Sequence, residues 1–373
     1  SLTEGAKIGV TTEKIPSSTS TVKIASAFSS DYIESDMDGY QVQYDDNEGA
    51  MVLAVDPAAH AKTCTSHSNL DKGTEFIPWT DAEAKSQNSG KLASNSLPSE
   101  AGSYYLTGPV TLDAEWAPAK GTVLCLNGQT VTSTEAETTF KVSSGVTFVL
   151  TDCQSTGALV CSGDISAQRQ GVKVDGGSFT MYNGTVDGFS EGVLAWGSAA
   201  TFTMHGGSIV NSRDYGVRSI GGTFNMYGGS ITGSGSSTYF SCGVYDKGAM
   251  TVGGNATIQN NTDKSTGSSC NVYWRGDPIT VNSDFAGSFS VTAFNWPSVG
   301  SPRQLTTGGG TIPNITNKIT SDNENYETVS SGKNLSLQVV KREPTKIAAP
   351  QAVSGLIYNG TRQTGVPAGD GYE

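Results

Sequence analysis

Apolar and polar residues alternate in short bursts along most of this chain, and the bursts recur. In "FTMHGGSIV", Phe202 and Met204 face one way and Thr203 and His205 the other, and Ile209 rejoins the apolar side after Gly206 and Gly207. Period two predicts strand, and the paired glycines cut it into short pieces. Near-copies stand at Phe179 ("FTMYNGTV") and Phe224 ("FNMYGGSI"). Each copy follows a Gly-Val or Asn-Val strand, and these strands begin at Gly171, Gly192, Gly216, Gly243 and Asn271, 21, 24, 27 and 28 residues apart. Three short strands cannot bury a face alone, but stacked copies bury a continuous one. The pattern predicts an all-β chain built as a right-handed parallel β-helix, a pectate-lyase-like solenoid.

Stacking fixes which residues meet. Val123, Phe148, Phe179, Phe202, Phe224 and Met250 should form one interior ladder, with Cys125, Leu150, Met181, Met204, Met226 and Val252 beside it, at about 4.8 Å per coil. The residues one past the inward valines then point out: Lys173, Leu194, Arg218, Tyr245 and Tyr273. Two places further lie Asp175, Trp196, Ile220, Lys247 and Arg275. This lateral face mixes rings with cations, and Trp274 stands next to it in sequence. Flat rings cover sugar C–H surface while Arg and Lys meet hydroxyls or carboxylates, so Trp196, Arg218, Tyr245, Lys247, Tyr273, Trp274 and Arg275 are the candidate ligand-binding residues. Ordinary strand chemistry, which also favours Tyr and Trp, is the competing account.

Cys242 and Cys270 fall at equivalent places on adjacent coils, where Cα atoms about 4.8 Å apart fit either a disulfide or two buried thiols. Cys153 and Cys161 flank a turn and can also pair. Six cysteines in 373 residues are too few for a disulfide scaffold.

Composition narrows the partners. Lys+Arg 23 against Asp+Glu 35 gives a net charge of −12, the wrong sign for a phosphate-neutralising surface, so nucleic acid is an unsuitable partner. No apolar run approaches the roughly 20 residues that span a bilayer, and a monomer without membrane insertion is expected.

Residues 1–57 lack the glycine repeat and read as a small β-rich module or cap, residues 58–99 as a connecting segment, 100–342 as the β-helix, and 343–373 as linker and tail. Two segments carry candidate metal chemistry. Glu34, Asp36 and Asp38 followed by Gly39, with Asp45 at the twelfth position, fit a calcium loop, although Glu replaces the usual Asp at its start and the flanks read as strands. His60, Cys64 and His67 in "HAKTCTSH" supply three ligands of the four that structural zinc requires, and Asp71 or Glu75 can complete the set.

The order YYLTG and VTL, then LCLNG with TV, then "TFVLTDC", then the repeated F-x-M-x-GG-x-I resembles secreted adhesin-like β-helix surface proteins of gut Firmicutes. The tail "AAPQAVSGLIYNGTRQTGVPAGDGYE" is similar to the first strands of a bacterial Ig-like repeat. The resemblance covers roughly residues 100–373 and implies exposure at a Gram-positive cell surface and binding of a host or plant glycan, or another extracellular partner. It carries no catalytic residues. Two alternatives stand beside non-catalytic binding. A β-helix polysaccharide lyase or glycoside hydrolase needs clustered carboxylates, and Asp175, Asp246 and Asp277 are spread over separate coils while Asp214 sits with Arg213 and Arg218. A spacer without ligand should scatter or bury its outward aromatics.

Overall fold

The repeat becomes parallel strand pairing in a computed structural model of the chain. The structure describes strands Ile8–Val10, Val22–Ala25, Ile33–Ser35, Tyr40–Asp45 and Ala50–Val55, and residues 76–163, 168–235 and 240–340. Among these, 23 strands join one sheet wound as a parallel β-helix. One coil consists of Glu191–Trp196, Thr201–Met204 and Ser208–Val210. It pairs backwards with Gln170–Asp175, Ser178–Met181 and Thr185–Asp187, and forwards with Tyr215–Met226 and Ser230–Thr232. Parallel pairing extends N-terminally to Ile77–Trp79, ahead of the residue-100 boundary read from the sequence.

Four apolar ladders fill the interior. Phe148, Phe179, Phe202, Phe224 and Met250 are register partners in turn, and the four rings stack nearly parallel with centroids 5.1–5.5 Å apart. Beside them run Leu150, Met181, Met204, Met226 and Val252, then Val281. Val186, Ile209 and Ile231 form a third ladder, and Val172, Val193, Val217, Val244, Val272 and Val291 a fourth. All of these side chains are buried. Each coil therefore removes equivalent apolar surface from water against the coils above and below, which is the main force holding it.

The corners need close backbone approach. Gly207 has φ +79°, and a Cβ there would lie 2.5 Å from the Gly184 carbonyl oxygen of the preceding coil. Only glycine combines that backbone conformation with that spacing.

The first coil departs from the expected register. Phe148 pairs with Thr122 and Leu150 with Leu124, so Val123 and Cys125 are not members of the interior ladders. The reason is that this strand is apolar on both sides: Leu124 and Leu126 face the main core, while Cys125 packs in a separate cluster with Phe76 and Tyr105. Alternation loses its direction where both faces are covered.

Both open ends of the solenoid are closed. Helix Asp81–Gln87 and the turn Ala93–Asn95 lie at the N-terminal end, where the Trp79 indole donates to the Ser96 carbonyl at 2.7 Å. At the other end an antiparallel sheet of Arg303–Gln304, Tyr326–Ser331 and Asn334–Val339 adds Leu335 and Leu337 to the same core. Such caps cover strand edges that would otherwise template pairing with other chains. The N-terminal strands form a small antiparallel sheet of Val22–Ala25, Ala50–Val55 and Tyr40–Asp45 together with a parallel pair, Ile8–Val10 and Ile33–Ser35. The Ig-like reading of the tail lies outside the described residues.

Replacing Phe202 by Ala removes one ring from the middle of a stack that cannot collapse around the gap, and should cost about 3–5 kcal/mol. Denaturant unfolding followed by far-UV circular dichroism measures it; a loss below about 1 kcal/mol would mean the ring ladder does not hold the coils.

Candidate binding face

Strand alternation sets the expected outward row in register, although Leu194 within it is buried. Lys173, Leu194, Arg218, Tyr245 and Tyr273 are successive register partners, and the row continues to Thr292. Tyr245 and Tyr273 stack at 5.4 Å with rings 19° apart. The Arg218 guanidinium lies 5.8 Å from the Tyr245 ring centre and 5.4 Å from that of Tyr215, and its Nη1 donates to Glu191 Oε1 at 2.6 Å. Burial works against the charge of Arg218, but the Glu191 hydrogen bond and charge outweigh it and hold its pKa above the usual value. Tyr215 is pushed up to about 12, chiefly by burial, with Arg218 opposing. Neither group changes charge near neutral pH.

The ring patch is larger than the sequence suggested. Phe240 meets Tyr273 edge-on at 4.6 Å, Tyr215 lies 5.4 Å from Tyr245, and Phe294 lies 6.1 Å from Tyr273. Arg275 closes the group: its guanidinium sits 4.4 Å from the Phe294 ring centre and its Nη1 donates to the Tyr245 hydroxyl at 3.0 Å. Glu191 and Tyr215 could have been found, because both stand directly before the Gly-Val pair that opens a coil. Phe240 and Phe294 could not, since both follow irregular spacings that carry no repeat signal.

Cys242 and Cys270 are joined by a disulfide with Cα atoms 4.9 Å apart. Cys242 is the register partner of Tyr215 and lies two residues after Phe240, so the bridge staples the segment that brings Phe240 onto Tyr273. Cys153 and Cys161 do not bridge each other: Cys153 Sγ donates to Asn127 Oδ1 at 3.2 Å, and Cys161 lies near the Gly163 carbonyl.

Two residues differ from the expected surface. Trp274 is buried, with only 3 % of its surface exposed, because it shares the inward side with Val272; its indole donates to the Asp277 carbonyl at 2.7 Å. It therefore does not belong to the lateral face. Trp196 is outward and 48 % exposed, but a register shift after Ala195 pairs it with Gly221 rather than Ile220. Gly221 has no side chain to lay against the indole, and no described ring stacks on Trp196. Lys247, the register partner of Ile220, is exposed on the same side.

Most of the carboxylates are engaged by arginines or stand apart, but Asp246 and Asp277 lie near enough for one to feel the charge of the other. Glu191 is engaged by Arg218 and Asp214 by Arg213, whose Nη2 lies 2.7 Å from Asp214 Oδ2. Asp246 points inward between Ser219 and Trp274, its register partners. Burial pushes its pKa up to about 6 against the opposing hydrogen bonds from Gly248 and Ser219, with the charge of Asp277 adding to the rise. Asp322 accepts from the Ser269, Ser290 and Thr292 hydroxyls and from both nitrogens of Asn271, a constellation that ties coils together.

A second outward stack, Tyr182, His205 and Tyr227, lies on another side of the coil at 4.8 and 5.4 Å; burial lowers the His205 pKa, and among the described residues no arginine joins it. Surface cavities of about 720 and 380 Å³ lie against the N-terminal helix, lined by residues such as Asp81, Lys85 and Pro109 or Asn88, Asp113 and Trp116, away from the ring patch.

Of the expected calcium ligands, Glu34 lies within Ile33–Ser35 and Asp45 ends Tyr40–Asp45, whereas Asp36 and Asp38 lie outside the described residues. His60, Cys64 and His67 also lie outside them. Among the described residues no group of three or more His, Cys, Asp or Glu is placed to hold a metal ion, and no helix is long and apolar enough to cross a membrane. No family model, curated protein or solved structure matches this chain.

Asp246 gives a signed pH dependence. Its folded pKa of about 6 exceeds the ordinary aspartate value of 3.8, so the folded state binds the proton more tightly and stability falls as pH rises between those values. At roughly 1.4 kcal/mol per unit the cost above pH 6 is about 3 kcal/mol. Asp246→Asn, which keeps an acceptor for Gly248, should stabilise the protein by up to that amount at pH 7.5 and leave it nearly unchanged at pH 4. Urea unfolding at the two pH values checks this, and equal effects at both would remove the assignment.

Proposed function

We propose that this chain is an extracellular, surface-associated binding protein whose lateral face recognises an extended glycan without cleaving it. The observation that carries the reading is the contiguity of Tyr215, Phe240, Tyr245, Tyr273 and Phe294 with Arg218 and Arg275 on successive coils. Rings supply apolar area for sugar C–H groups, and fixed guanidinium and hydroxyl groups supply directional hydrogen bonds.

The site is an open surface rather than a pocket, which suits a polymer. From the coil of Trp196 to that of Phe294 is four steps, or about 19 Å at the strand spacing. Those two rings, each 48 % exposed, bracket the face. Between them Tyr245 and Tyr273 lay their faces on each other and offer edges and hydroxyls. A linear oligosaccharide lying along the helix axis can meet both kinds of surface.

The non-cleaving reading is supported by Glu191 and Asp214, which are held by arginines, and by the inward direction of Asp246. An extracellular setting is supported by the Cys242–Cys270 disulfide, since such bonds persist in oxidising compartments.

Glycan-array binding by the protein and by a Trp196→Ala, Tyr245→Ala variant tests the reading, with product analysis in parallel. Binding of an oligosaccharide that weakens at least tenfold in the variant, with the sugar recovered intact, is expected. Shortened chains would move the assignment to an enzyme, and no retention of any glycan would leave the face as a structural ladder.

A further inference from the structure

The described cations near this face differ in what they touch. Arg218 is matched by Glu191 at 2.6 Å. Arg275 is not: its contacts are the Tyr245 hydroxyl and the Phe294 ring, both neutral. Arg303 comes from a different part of the chain and packs on the buried Trp274. Its guanidinium lies 4.8 Å from the Trp274 ring centre, and its Nη1 donates to the Asn295 carbonyl. Arg275 thus rests on residue 294 and Arg303 on residue 295 of one turn. Neither forms an ion pair with a described carboxylate.

Gly276 separates them. It has φ +116°, and a Cβ at this position would lie 2.5 Å from Arg303 Nη2, so the missing side chain is what lets the second guanidinium approach the strand that carries Arg275. In a chain of net charge −12, Arg275 is a cation held by an aromatic face and a tyrosine hydroxyl, with most of its five N–H donors without a described protein acceptor, and this leaves it able to meet an anion. Asp277, two residues past Arg275, pairs with neither; its charge is felt instead by Asp246.

We propose that the glycan bound by this face contains sugar acids, and that Arg275 receives one of their carboxylates at the end marked by Phe294. This rests on the glycan-binding reading and narrows it to acidic saccharides. A planar carboxylate matches the guanidinium fork in a bidentate, charge-assisted contact, which a neutral hydroxymethyl group in the same place does not make. The overall negative charge of the protein opposes a polyanion at long range. At about 0.15 M salt the screening length is about 8 Å, so the local contact then dominates.

The test is titration of the full chain, at that salt, with oligosaccharides bearing uronic or sialic acids and with the same oligosaccharides after reduction of their carboxyl groups. The acid forms should bind at least tenfold more tightly. Arg275→Gln should weaken binding of the acid form far more than that of the reduced form and so close the gap between them, and Arg275→Lys, which keeps the charge but not the fork, should fall between. Circular dichroism melting confirms that each variant is folded, and Arg275 faces outward, so the substitution leaves the interior packing intact. Equal affinity for acid and reduced forms overturns the carboxylate assignment and leaves glycan binding standing. An acid preference that survives Arg275→Gln overturns the residue assignment. If neither form of any oligosaccharide binds, both readings fall.

Discussion

Everything in this molecule depends on coils meeting in register, so that a parallel hydrogen-bonded ladder and an apolar ladder advance together. Neither alone is sufficient. A lone coil has too little apolar area to offset the entropy of ordering its chain, and unpaired strands expose donors and acceptors on both edges. Stacked, each coil satisfies its neighbours' backbone groups while Phe179, Phe202 and Phe224 lie face to face inside. The ends remain the weak points, and a helix at one and an antiparallel sheet at the other cover them.

The same register writes the surface. Whatever residue type a coil places outward is set beside its equivalent one strand away, so a few substitutions in a repeat create a continuous strip. On one side this yields Tyr182, His205 and Tyr227, a stack that no described arginine joins. On the lateral side it yields rings interleaved with arginines, stapled by a disulfide and extended by Phe240 and Phe294 from outside the repeat. Stacking has a cost for recognition, since rings that cover one another lose open faces. The arrangement therefore leaves accessible faces where stacking ends, at Trp196 above Gly221, and at Phe294.

Period-two alternation between glycine turns was enough to read the architecture and most of the outward row, because strand geometry admits only two directions and the copies vote together. It failed where that logic lost its premise. The strand around Leu124 is covered on both sides, so Val123 and Cys125 were assigned to the wrong ladder. A bulge after Ala195 shifted Trp196 by one partner, which a fixed repeat cannot anticipate. Trp274 was grouped with the exposed rings by residue type, although its parity with Val272 placed it inside. Phe240 and Phe294 reach the face from segments between or beyond the repeats, where only three-dimensional folding brings them near.

The in-register stack is tested most directly by cross-linking outward register partners. Thr180 and Thr203 are paired across adjacent coils, at about the spacing that a disulfide accepts. With both replaced by cysteine, mild oxidation followed by peptide mass spectrometry should give the 180–203 linkage as the dominant new bond, whereas cysteines at 180 and 204, one residue out of register and on opposite faces, should not join. Efficient linkage of the second pair, or failure of the first in a folded protein, would contradict the stacked-coil account.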